Sequence, residues 1–432
     1  MILDGLVNLI SGLGSDRDKA RASHFVFDRL DDQQAGAMYM ESWSARKAVD
    51  IPADDQTREW RVWESEQAEA LYEAERALRV RSLVNWCLKM EAIYGGSAIL
   101  IGVGDGDPAQ PLDPTRIARG GLQYLAAFAR PDLSAVRWDD DIASPAFGKP
   151  MIYAIQHARM SRHIEVHRSR LVIFDGRDAP WQWRENNDGW GSSVLQFVRQ
   201  AITSAEATAA SAATLVHEAT LDVVKIPDLQ TYLADAESER RLLRRFGLAM
   251  QGKSMIRTLI LGGDETYDRK QTTFAGLRDM MDAQYQTVAA ALDIPITRFM
   301  GRSPGGLNAT GDSDVRNYYD MIRARQQTDL ADTLRPLDEA LKAHVGATDP
   351  ATTYEWSPLW TSTPEEQAAI AKVHAEVDTA YYNMGLFPDD AWARVVRDRL
   401  IAAGTYPSLE QHVDEAELEF VRPAPALPSP GE

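Results

Sequence analysis

A segment rich in glycine and proline, residues 292–311, separates two long amphipathic patterns and strongly limits the folds open to this chain. It contains two prolines and four glycines in twenty residues. Proline cannot donate the hydrogen bond that continues a helix, and glycine adopts left-handed backbone angles at little cost. A continuous helix is therefore excluded here. We predict an ordered turn or a mobile loop, and such loops often carry function.

Apolar residues recur at spacings of three and four on both sides of this segment, which places them on one face of a helix. Before it they are Phe274, Leu277, Met281, Tyr285, Val288 and Leu292, and after it they are Val315, Tyr318, Ile322, Leu330, Leu334, Leu337 and Leu341. Asp312 and Asp314 open the second pattern, where acidic side chains favour a helix start. Pro336 predicts a kink in the second helix.

The helix, loop, helix unit resembles the tunnel region of tailed-bacteriophage portal proteins, in which a loop points into a DNA channel. Three further segments resemble the same family in the same order along the chain. Trp43–Asp55 resembles the opening segment of the portal body, Val166–Phe174 the strand before the stem, and Trp190–Leu195 the turn into the first stem helix. On these matches, which span most of residues 40–345, the chain is identified as a member of the portal family.

The resemblance implies an α+β portal fold with a wing and body, a helical stem, a small α/β clip, a tunnel loop, a long kinked helix and a helical C-terminal region. The implied parts are residues 1–190 (wing and body), 191–218 (first stem helix), 219–273 (clip), 274–293 (second stem helix), 294–311 (tunnel loop), 312–346 (long kinked helix), 347–363 (return to the body), 364–420 (crown-like helices) and 421–432 (disordered tail). The last part has four prolines and no aromatic residue, a composition typical of disorder.

Alanines crowd the predicted first stem helix, Ser193–Glu218. Alanine is the strongest helix former, and its small side chain lets neighbouring helices approach closely. A helix of this length would reach about 39 Å at about 1.5 Å per residue. By resemblance, the residues expected at the stem contacts are Ala205, Ala209, Ala213, Met281 and Tyr285. The composition alone also permits a buried bundle helix within one subunit.

Between the stem helices, strand-like Leu221–Ile226 and Met255–Leu261 flank a charged helical stretch, which the resemblance identifies as the clip. Its basic residues are Arg240, Arg241, Arg244 and Arg245. A charge run of this kind usually forms a solvated helix face. The same arginines are candidates for docking the packaging motor.

The resemblance implies a ring of twelve subunits at one capsid vertex and no catalytic reaction. The implied partners are double-stranded DNA in the channel, the large terminase, the head–tail connector, and the major capsid and scaffolding proteins. In the loop, the candidate channel residues are Arg298, Arg302, Ser303, Gly305, Gly306 and Asn308. We expect Arg298 and Arg302 to touch DNA phosphates transiently; alternatively, they pair with Asp293 or Asp312 of a neighbouring subunit.

The charge balance argues against tight DNA wrapping. The chain has 46 basic and 64 acidic residues, for a net charge of -18. Proteins that grip DNA through its phosphates need an excess of lysine and arginine. Twelve copies would carry 12 × -18 = -216 charges, and an acidic channel wall would discourage DNA from sticking. The same charge is equally consistent with solubility alone.

The cysteine count and the hydropathy pattern indicate in which cellular compartment the protein is made and whether it enters a membrane. The single Cys87 excludes an intramolecular disulfide and a cysteine-based zinc site. Met1–Ile10 is too short for a membrane span and lacks the basic start of a signal peptide. We therefore expect a soluble protein made in a reducing cytoplasm. The resemblance implies that this is the host bacterial cytoplasm and that the protein is built into the virion, with no membrane partner.

Enzyme and cofactor motifs are missing from the sequence: it has no P-loop, no Gly-x-Ser-x-Gly elbow and no His-Glu-x-x-His helix. Gly104–Asp107 resembles a calcium loop only until Pro108, and a turn is the better interpretation. His157, His163 and His167 cluster, but a surface strand explains them better than a metal site. Gly301–Gly311 lacks the lysine of a nucleotide-binding loop, and it follows a helix instead of a strand. We predict no catalytic residue, no metal and no cofactor.

One enzyme class remains as an alternative. Relatives of this portal branch are labelled with an activity against cyclic-nucleotide defence signals, which suggests a phosphodiesterase of the two-histidine superfamily. That chemistry needs two His-x-Ser/Thr motifs facing each other, one histidine acting as base and the other as acid. His167-Arg168-Ser169 is the single match in the chain, so the sequence disfavours this class.

Overall fold

The computed structural model describes residues 29–144, 146–156, 163–217, 220–225, 276–301, 311–347, 351–360, 364–385 and 388–402, together with 236–237, 239–241, 243–244, 266–271 and 349. The strand predicted at Met255–Leu261, residues 302–310 of the predicted tunnel loop and the predicted disordered tail lie outside these residues. The chain divides into two compact units, Met1–Leu359 and Trp360–Glu432.

The first unit contains both helices and strands, largely in separate runs, in agreement with the predicted α+β class. The helices of both units are α1 (Asp32–Glu41), α2 (Trp43–Arg58), α3 (Ala68–Ala77), α4 (Val80–Tyr94), α5 (Trp181–Glu185), α6 (Val194–His217), α7 (Leu277–Ala291), α8 (Ile296–Met300), α9 (Asp312–Arg325), α10 (Ala331–Val345), α11 (Pro364–Asn383) and α12 (Asp389–Ala402). The strands are β1 (Arg61–Glu64), β2 (Gly96–Val103), β3 (Leu122–Ala129), β4 (Leu133–Trp138), β5 (Pro150–Ile155), β6 (Ile164–His167), β7 (Leu171–Asp175), β8 (Thr220–Lys225), β9 (Thr266–Gln271) and β10 (Thr353–Trp356).

All strand pairs described are antiparallel. β2 is the centre of a sheet with the order β3-β2-β7, and a second sheet has the order β4-β5-β6. β1 pairs with β10, and β8 pairs with β9 in the region predicted as the clip. The β1–β10 pair joins residues almost 300 positions apart, so the end of the first unit returns to its beginning.

Two segments are interrupted at positions that no glycine or proline marks in the sequence. The segment Ala68–Tyr94 forms two helices, α3 and α4, because Arg79 between them has a left-handed φ of 56°. The strand expected at Val166–Phe174 is interrupted by a short 3-10 helix at Arg168–Arg170. The predicted stem helix agrees with α6 to within one residue at each end.

Gly95, Gly176 and Gly191 are required by close backbone approach. Gly95 ends α4 at a φ of +80°, and a Cβ there would lie 2.7 Å from the Gly191 carbonyl oxygen. A Cβ at Gly176 would lie 2.5 Å from the Gly95 oxygen. Any side chain would collide at these points. The three glycines therefore let α4, the end of β7 and the turn into α6 pack backbone to backbone.

Two apolar cores fill most of the first unit. One lies among α3, α4, β2, β7 and α10, with Leu71, Val84, Ile99 and Leu337 buried in it. The other lies among α2, α6, α7, α8 and α9, and includes Val49, Ile202, Val288 and Phe299. The second core therefore combines both stem helices with the helices on either side of the predicted loop.

A buried ion cluster ties β1 to α3 and α10. Arg61, which is fully buried, contacts the carboxylates of Glu75 and Asp338 at 2.7 and 2.5 Å. Its guanidinium also lies 4.5 Å from the ring centre of Tyr354 on β10. Burial raises the pKa of Asp338 to about 6, while Arg61 acts in the opposite direction.

The long helix is interrupted earlier than predicted. A π-helical turn at Gln326–Leu330 separates α9 from α10, whereas Pro336 lies inside α10. Insertion of one residue in such a turn is a known cause of helix kinks. The buried Gln326 amide donates to the Gln56 carbonyl at 2.8 Å, which fixes the π-helical turn against the end of α2.

The second unit contains α11 and α12, consistent with the helices predicted over 364–403. Arg399 on α12 pairs with Asp378 on α11, and the rings of Tyr381 and Trp392 lie 6.5 Å apart. Exposed apolar residues follow α11 at helical spacing, namely Ile370, Val373, Val377 and Tyr381. This face has no cover within the described part of the unit.

Candidate functional site

The short helix α8 begins the segment predicted as the tunnel loop. Pro295 precedes its first turn, where the missing N–H costs nothing. Phe299 is fully buried, and its ring centre lies 5.9 Å from that of Trp43 at the start of α2. The Lys47 ammonium donates to the Phe299 carbonyl oxygen. α8 is therefore seated firmly on α2, although the sequence predicted a loop here.

A buried carboxylate joins the two sides of the predicted loop. Asp55 on α2 accepts hydrogen bonds from Arg298 Nη2 on α8 at 2.8 Å and from the Tyr318 hydroxyl on α9 at 3.1 Å. Its side chain is 1% exposed. Hydrogen bonding to Asp55 raises the pKa of Arg298. Burial, followed by the charge of Asp55, raises the pKa of Tyr318. We call Asp55, Arg298 and Tyr318 the loop anchor.

Arg58 extends these contacts to the end of the first unit. Its guanidinium lies 5.0 Å from the ring centre of Tyr319 and donates to the Leu359 carbonyl oxygen at 2.7 Å. It also lies 3.6 Å from Asp55. Two cations, Arg58 and Arg298, thus lie beside one buried carboxylate, and they offset the cost of burying its charge.

The predicted stem helices α6 and α7 also pack against α2, which we call the platform helix. Tyr285 on α7 is buried and packs against Trp43, with ring centres 4.9 Å apart and ring planes tilted by 51°. Glu206 on α6 accepts hydrogen bonds from the hydroxyls of Ser42 and Ser44 at the start of α2. The start of α2 therefore contacts both predicted stem helices. Asp55, near the end of α2, contacts the helices on the two sides of the predicted loop, so one helix supports both regions.

The structure describes some of the predicted channel residues. Arg298 is half-exposed, with 38% of its side chain accessible, and its partner is Asp55 of the same chain. The alternative drawn from the sequence, in which Arg298 pairs with Asp293 or Asp312 of a neighbouring subunit, stays a prediction. Contact between Arg298 and DNA stays a prediction. The other predicted loop residues, Arg302, Ser303, Gly305, Gly306 and Asn308, lie outside the described residues.

The predicted stem residues differ in burial. Ala205 and Tyr285 are buried inside the subunit, Ala209 and Met281 are half-buried, and Ala213 is exposed. The predicted clip residues Arg240, Arg241 and Arg244 are exposed on helical backbone, and Arg245 is outside the described residues.

Sequence reasoning missed Asp55 and Lys47 as functional positions. Both lie inside the Trp43–Asp55 segment that carried the family resemblance, which was the available signal. Asp50, Asp54 and Asp55 looked equivalent in the sequence. Only the tertiary structure shows that Asp54 faces Lys89 at 2.9 Å on the surface, whereas Asp55 points into the core.

The single His-x-Ser motif has a structural role. His167 Nδ1 and Ser169 Oγ are 2.9 Å apart, and the same Oγ accepts the Leu112 N–H at 2.7 Å. Burial lowers the pKa of His167. These contacts shape the 3-10 turn at Arg168–Arg170.

No group of three or more potential metal ligands occurs among the described residues, and none of the helices described is long and apolar enough to cross a membrane.

Comparison with protein families matches residues 33–380 to the family described as phage portal protein. A protein of Caulobacter sp. (strain RHG1) named anti-CBASS protein Acb1 is 36% identical over 431 residues, which cover 96% of this chain and 69% of that protein.

Solved structures give the same fold. A chain from the neck of an empty GTA particle, computed with C6 symmetry, superposes with a TM-score of 0.54 at 15% identity, covering 88% of this chain and 95% of that one. A chain from the neck of a native GTA particle, computed with C12 symmetry, has a TM-score of 0.50 at 14% identity and covers 87% and 96%. At such low identity the likeness establishes the fold alone.

Proposed function

Because this chain belongs to the phage portal protein family, we propose that it forms a ring of twelve subunits around a DNA channel at one vertex of a viral capsid. The ring would admit the genome during packaging, retain it and release it on ejection. Its place would be the virion, with assembly in the host bacterial cytoplasm. The chain itself would catalyse no reaction.

Ring formation is supported by apolar surface that one subunit leaves open. Phe197 on α6 is 61% exposed, and Leu215 on α6 and Met280 on α7 are also exposed. Apolar side chains along a stem helix are typical of contacts between subunits. A heterologous contact closes into a ring when its rotation divides a full turn. The proposed number of twelve is the symmetry order with which one similar neck structure was computed, and it is a proposal for this chain.

The observation that carries the channel role is the loop anchor. Residues 298 and 318, on the two sides of the predicted loop, both bind Asp55. Because these contacts fix both ends of the loop on the body, the tip of the loop can contact moving DNA while the stem helices stay folded. Arg302, Ser303, Gly305, Gly306 and Asn308 are the proposed channel residues, and Arg298 forms the base.

The remaining partners follow from the family. The exposed Arg240, Arg241 and Arg244 form a basic face that we assign to docking of the large terminase. The head–tail connector would attach to the same ring after packaging, and the major capsid and scaffolding proteins would surround its wing. Charge reversal at these three arginines should reduce terminase binding without changing ring size.

Negative-stain imaging and native mass spectrometry of the purified chain test the ring. We expect closed rings with a central hole and a mass corresponding to ten or more subunits, twelve being the proposed number. The measurement should span several salt concentrations, because surface charge interactions weaken as salt rises. A monomer or dimer under every condition would contradict the proposal.

A second candidate is the two-histidine phosphodiesterase considered from the sequence, and the relative named anti-CBASS protein Acb1 is the reason to test it. Against it, this chain has a single His-x-Ser motif, and Ser169 in that motif already accepts the Leu112 N–H. Incubation of the purified chain with cyclic dinucleotides decides the matter. Hydrolysis that disappears in His167→Ala would establish the enzyme, and no hydrolysis is the expected result.

A further inference from the structure

A cavity of about 510 Å³ lies in the first unit beside the interruption of the long helix. Its walls come from the middle of α2, the end of α4, the turn after β7 and the π-helical turn between α9 and α10. The volume is within the range of about 300–1,000 Å³ typical of small-molecule sites. Asp55, Arg298 and Tyr318 do not line this cavity, so it is separate from the loop anchor.

Two arginines of this cavity have no ion pair and no side-chain hydrogen bond within the part of the chain that the structure describes. Arg177 lies in the turn after β7, and Arg325 is the last residue of α9. Both residues are half-buried. Burial lowers the pKa of Arg325, and the charge of Arg177 lowers it further. Two cations that repel each other away from bulk water favour the arrival of an anion.

Most carboxylates of the cavity wall are already paired with other arginines. Asp175 and Asp178 both bind Arg184, at 2.7 and 3.2 Å. Asp332 binds Arg335 on the next turn of α10. Because each of these carboxylates has a cationic partner of its own, they do not balance the two unpaired arginines.

The two remaining acids of the wall differ in charge. Asp329, in the π-helical turn, is exposed and accepts the Thr328 hydroxyl at 3.1 Å. Glu91, near the end of α4, has a pKa raised by burial to about 8, so it holds a proton at neutral pH. A protonated carboxyl group can donate a hydrogen bond. The wall therefore combines two unpaired cations and a neutral donor with one exposed anion.

We propose that this cavity binds a phosphate group, held by the guanidinium groups of Arg177 and Arg325 and by a hydrogen bond from the Glu91 carboxyl group. Arginine forms paired, charge-assisted hydrogen bonds with phosphate oxygens. A phosphate monoester offers three acceptor oxygens and a charge of about -1.5 to -2 at pH 7, which matches two cations and one donor. Inorganic phosphate can make the same contacts, but only an ester would also fill the apolar part of the cavity, lined by Leu88 and Leu292.

The position of the site gives binding a structural effect. Arg177 forms an isolated β-bridge with Ser192, just before the stem helix α6. Arg325 directly precedes the π-helical turn. A phosphate bound to both arginines would connect the start of the stem with the interruption of the long helix. Ligand that binds only the folded state also stabilises that state, so hydrogen exchange in the π-helical turn should fall when the site is filled.

Isothermal titration calorimetry of the full chain with inorganic phosphate and with phenyl phosphate tests the proposal. We expect saturable binding that weakens at least tenfold in Arg177→Gln and in Arg325→Gln. Tighter binding of phenyl phosphate would support an ester as the ligand, and equal binding would support inorganic phosphate. Absence of saturable binding of either compound, or binding that neither variant weakens, would overturn the proposal.

The matched control is Arg116→Gln, which removes an exposed arginine outside the cavity. It should leave both affinities unchanged within twofold. Thermal melts without ligand distinguish a binding arginine from a structural one. Because Arg325 is repelled by Arg177, Arg325→Gln should keep or raise the melting temperature of the free protein. A fall of several degrees would show that Arg325 supports the fold and would contradict its assignment to a ligand.

Sulfate tests the part played by Glu91, because its charge does not change between pH 6 and pH 9. The charged groups that face Glu91 are Arg177, Arg325, Asp175 and Asp329. We expect sulfate affinity to fall several-fold over this range as Glu91 loses its proton. In Glu91→Gln the affinity should stay constant, since the amide still donates a hydrogen bond. An equal fall in both proteins would exclude Glu91 from the site.

Discussion

Neighbouring residues of the platform helix α2 contribute unequally to the free energy of unfolding. Asp54 and Asp55 are neighbours in the chain, yet one faces solvent and the other is enclosed by Arg298, Tyr318 and Arg58. A buried carboxylate with several donors cannot be removed without leaving those donors unsatisfied. An exposed ion pair such as that of Asp54 contributes little.

Asp55→Ala should lower the free energy of unfolding by about 2 kcal/mol, since it leaves Arg298 and Tyr318 without an acceptor. Asp54→Ala, one position away on the same helix, should cost less than about 1 kcal/mol. Urea unfolding followed by circular dichroism measures both. Hydrogen exchange at residues 296–300 should rise in Asp55→Ala alone. Equal effects of the two variants would show that the loop anchor does not support α8.

Glu91 gives the folded protein a pH dependence. Burial raises its pKa from 4.5 to about 8; Arg177 and Arg325 lower it, and Asp175 and Asp329 raise it further. The folded state therefore holds a proton that the unfolded chain has lost, and this contribution to stability is full below pH 4.5 and disappears as the pH rises through about 8.

Glu91→Gln imitates the protonated side chain and should remove this dependence. We expect the variant and the natural protein to melt at similar temperatures at pH 5, and the variant to melt higher at pH 9. Scanning calorimetry at pH 5, 7 and 9 measures the difference. Parallel curves at all three values would mean that Glu91 does not titrate in this range.

At the scale of elements, the stem helix α6 has one face for its own subunit and another that remains open. Ala205 packs inside the subunit, whereas Ala213 is exposed two turns further along the helix. Substitution of each alanine by leucine therefore separates folding from assembly.

Ala205→Leu should destabilise the subunit itself by about 1–3 kcal/mol, the usual cost of overpacking a filled core. Ala213→Leu should change subunit stability by less than about 0.5 kcal/mol but reduce ring formation, because the added bulk recurs at every contact. Thermal melts and sedimentation velocity measure the two effects. Intact rings from Ala213→Leu would place this face of the stem in solvent.

Periodicity predicted the long elements well and their interruptions poorly. The stem helix and the helix after the loop follow from apolar spacing and alanine content. The break at Arg79 could not be foreseen, because neither glycine nor proline marks it and tertiary packing imposes its backbone angle. α8 was hidden because proline and glycine around it indicate a loop, although proline also begins helices. The loop anchor depends on contacts between distant residues, which spacing alone cannot identify.

For the whole molecule, the proposed ring combines strong acidity with a few loop cations. Twelve subunits would carry 12 × -18 = -216 formal charges. In the proposed channel, acidic walls would repel the duplex and the loop would supply its weak contacts. Arg298 is a poor probe of these contacts, because reversing its charge would place a second carboxylate beside the buried Asp55. Arg302 lies beyond the loop anchor in sequence and is the cleaner position.

Arg302→Glu, or deletion of Gly305-Gly306-Leu307, should leave ring formation and procapsid assembly intact while lowering the DNA retained per particle, since basic groups near DNA make salt-sensitive contacts. DNA content of assembled particles is the measurement, with imaging of the ring as its control. Full heads with normal retention in both variants would exclude the assigned role of the loop.

The loop anchor has a consequence for exchange of sequence between related viruses. Asp55 and Arg298 are 243 positions apart, and Asp55 and Tyr318 are 263 apart. A recombination crossover anywhere between them joins an acceptor from one parent to donors from another. Where a parent carries a different residue at one of these positions, the hybrid inherits a buried charge without its counterpart. Viable hybrids should therefore retain all three residues, or replace them together.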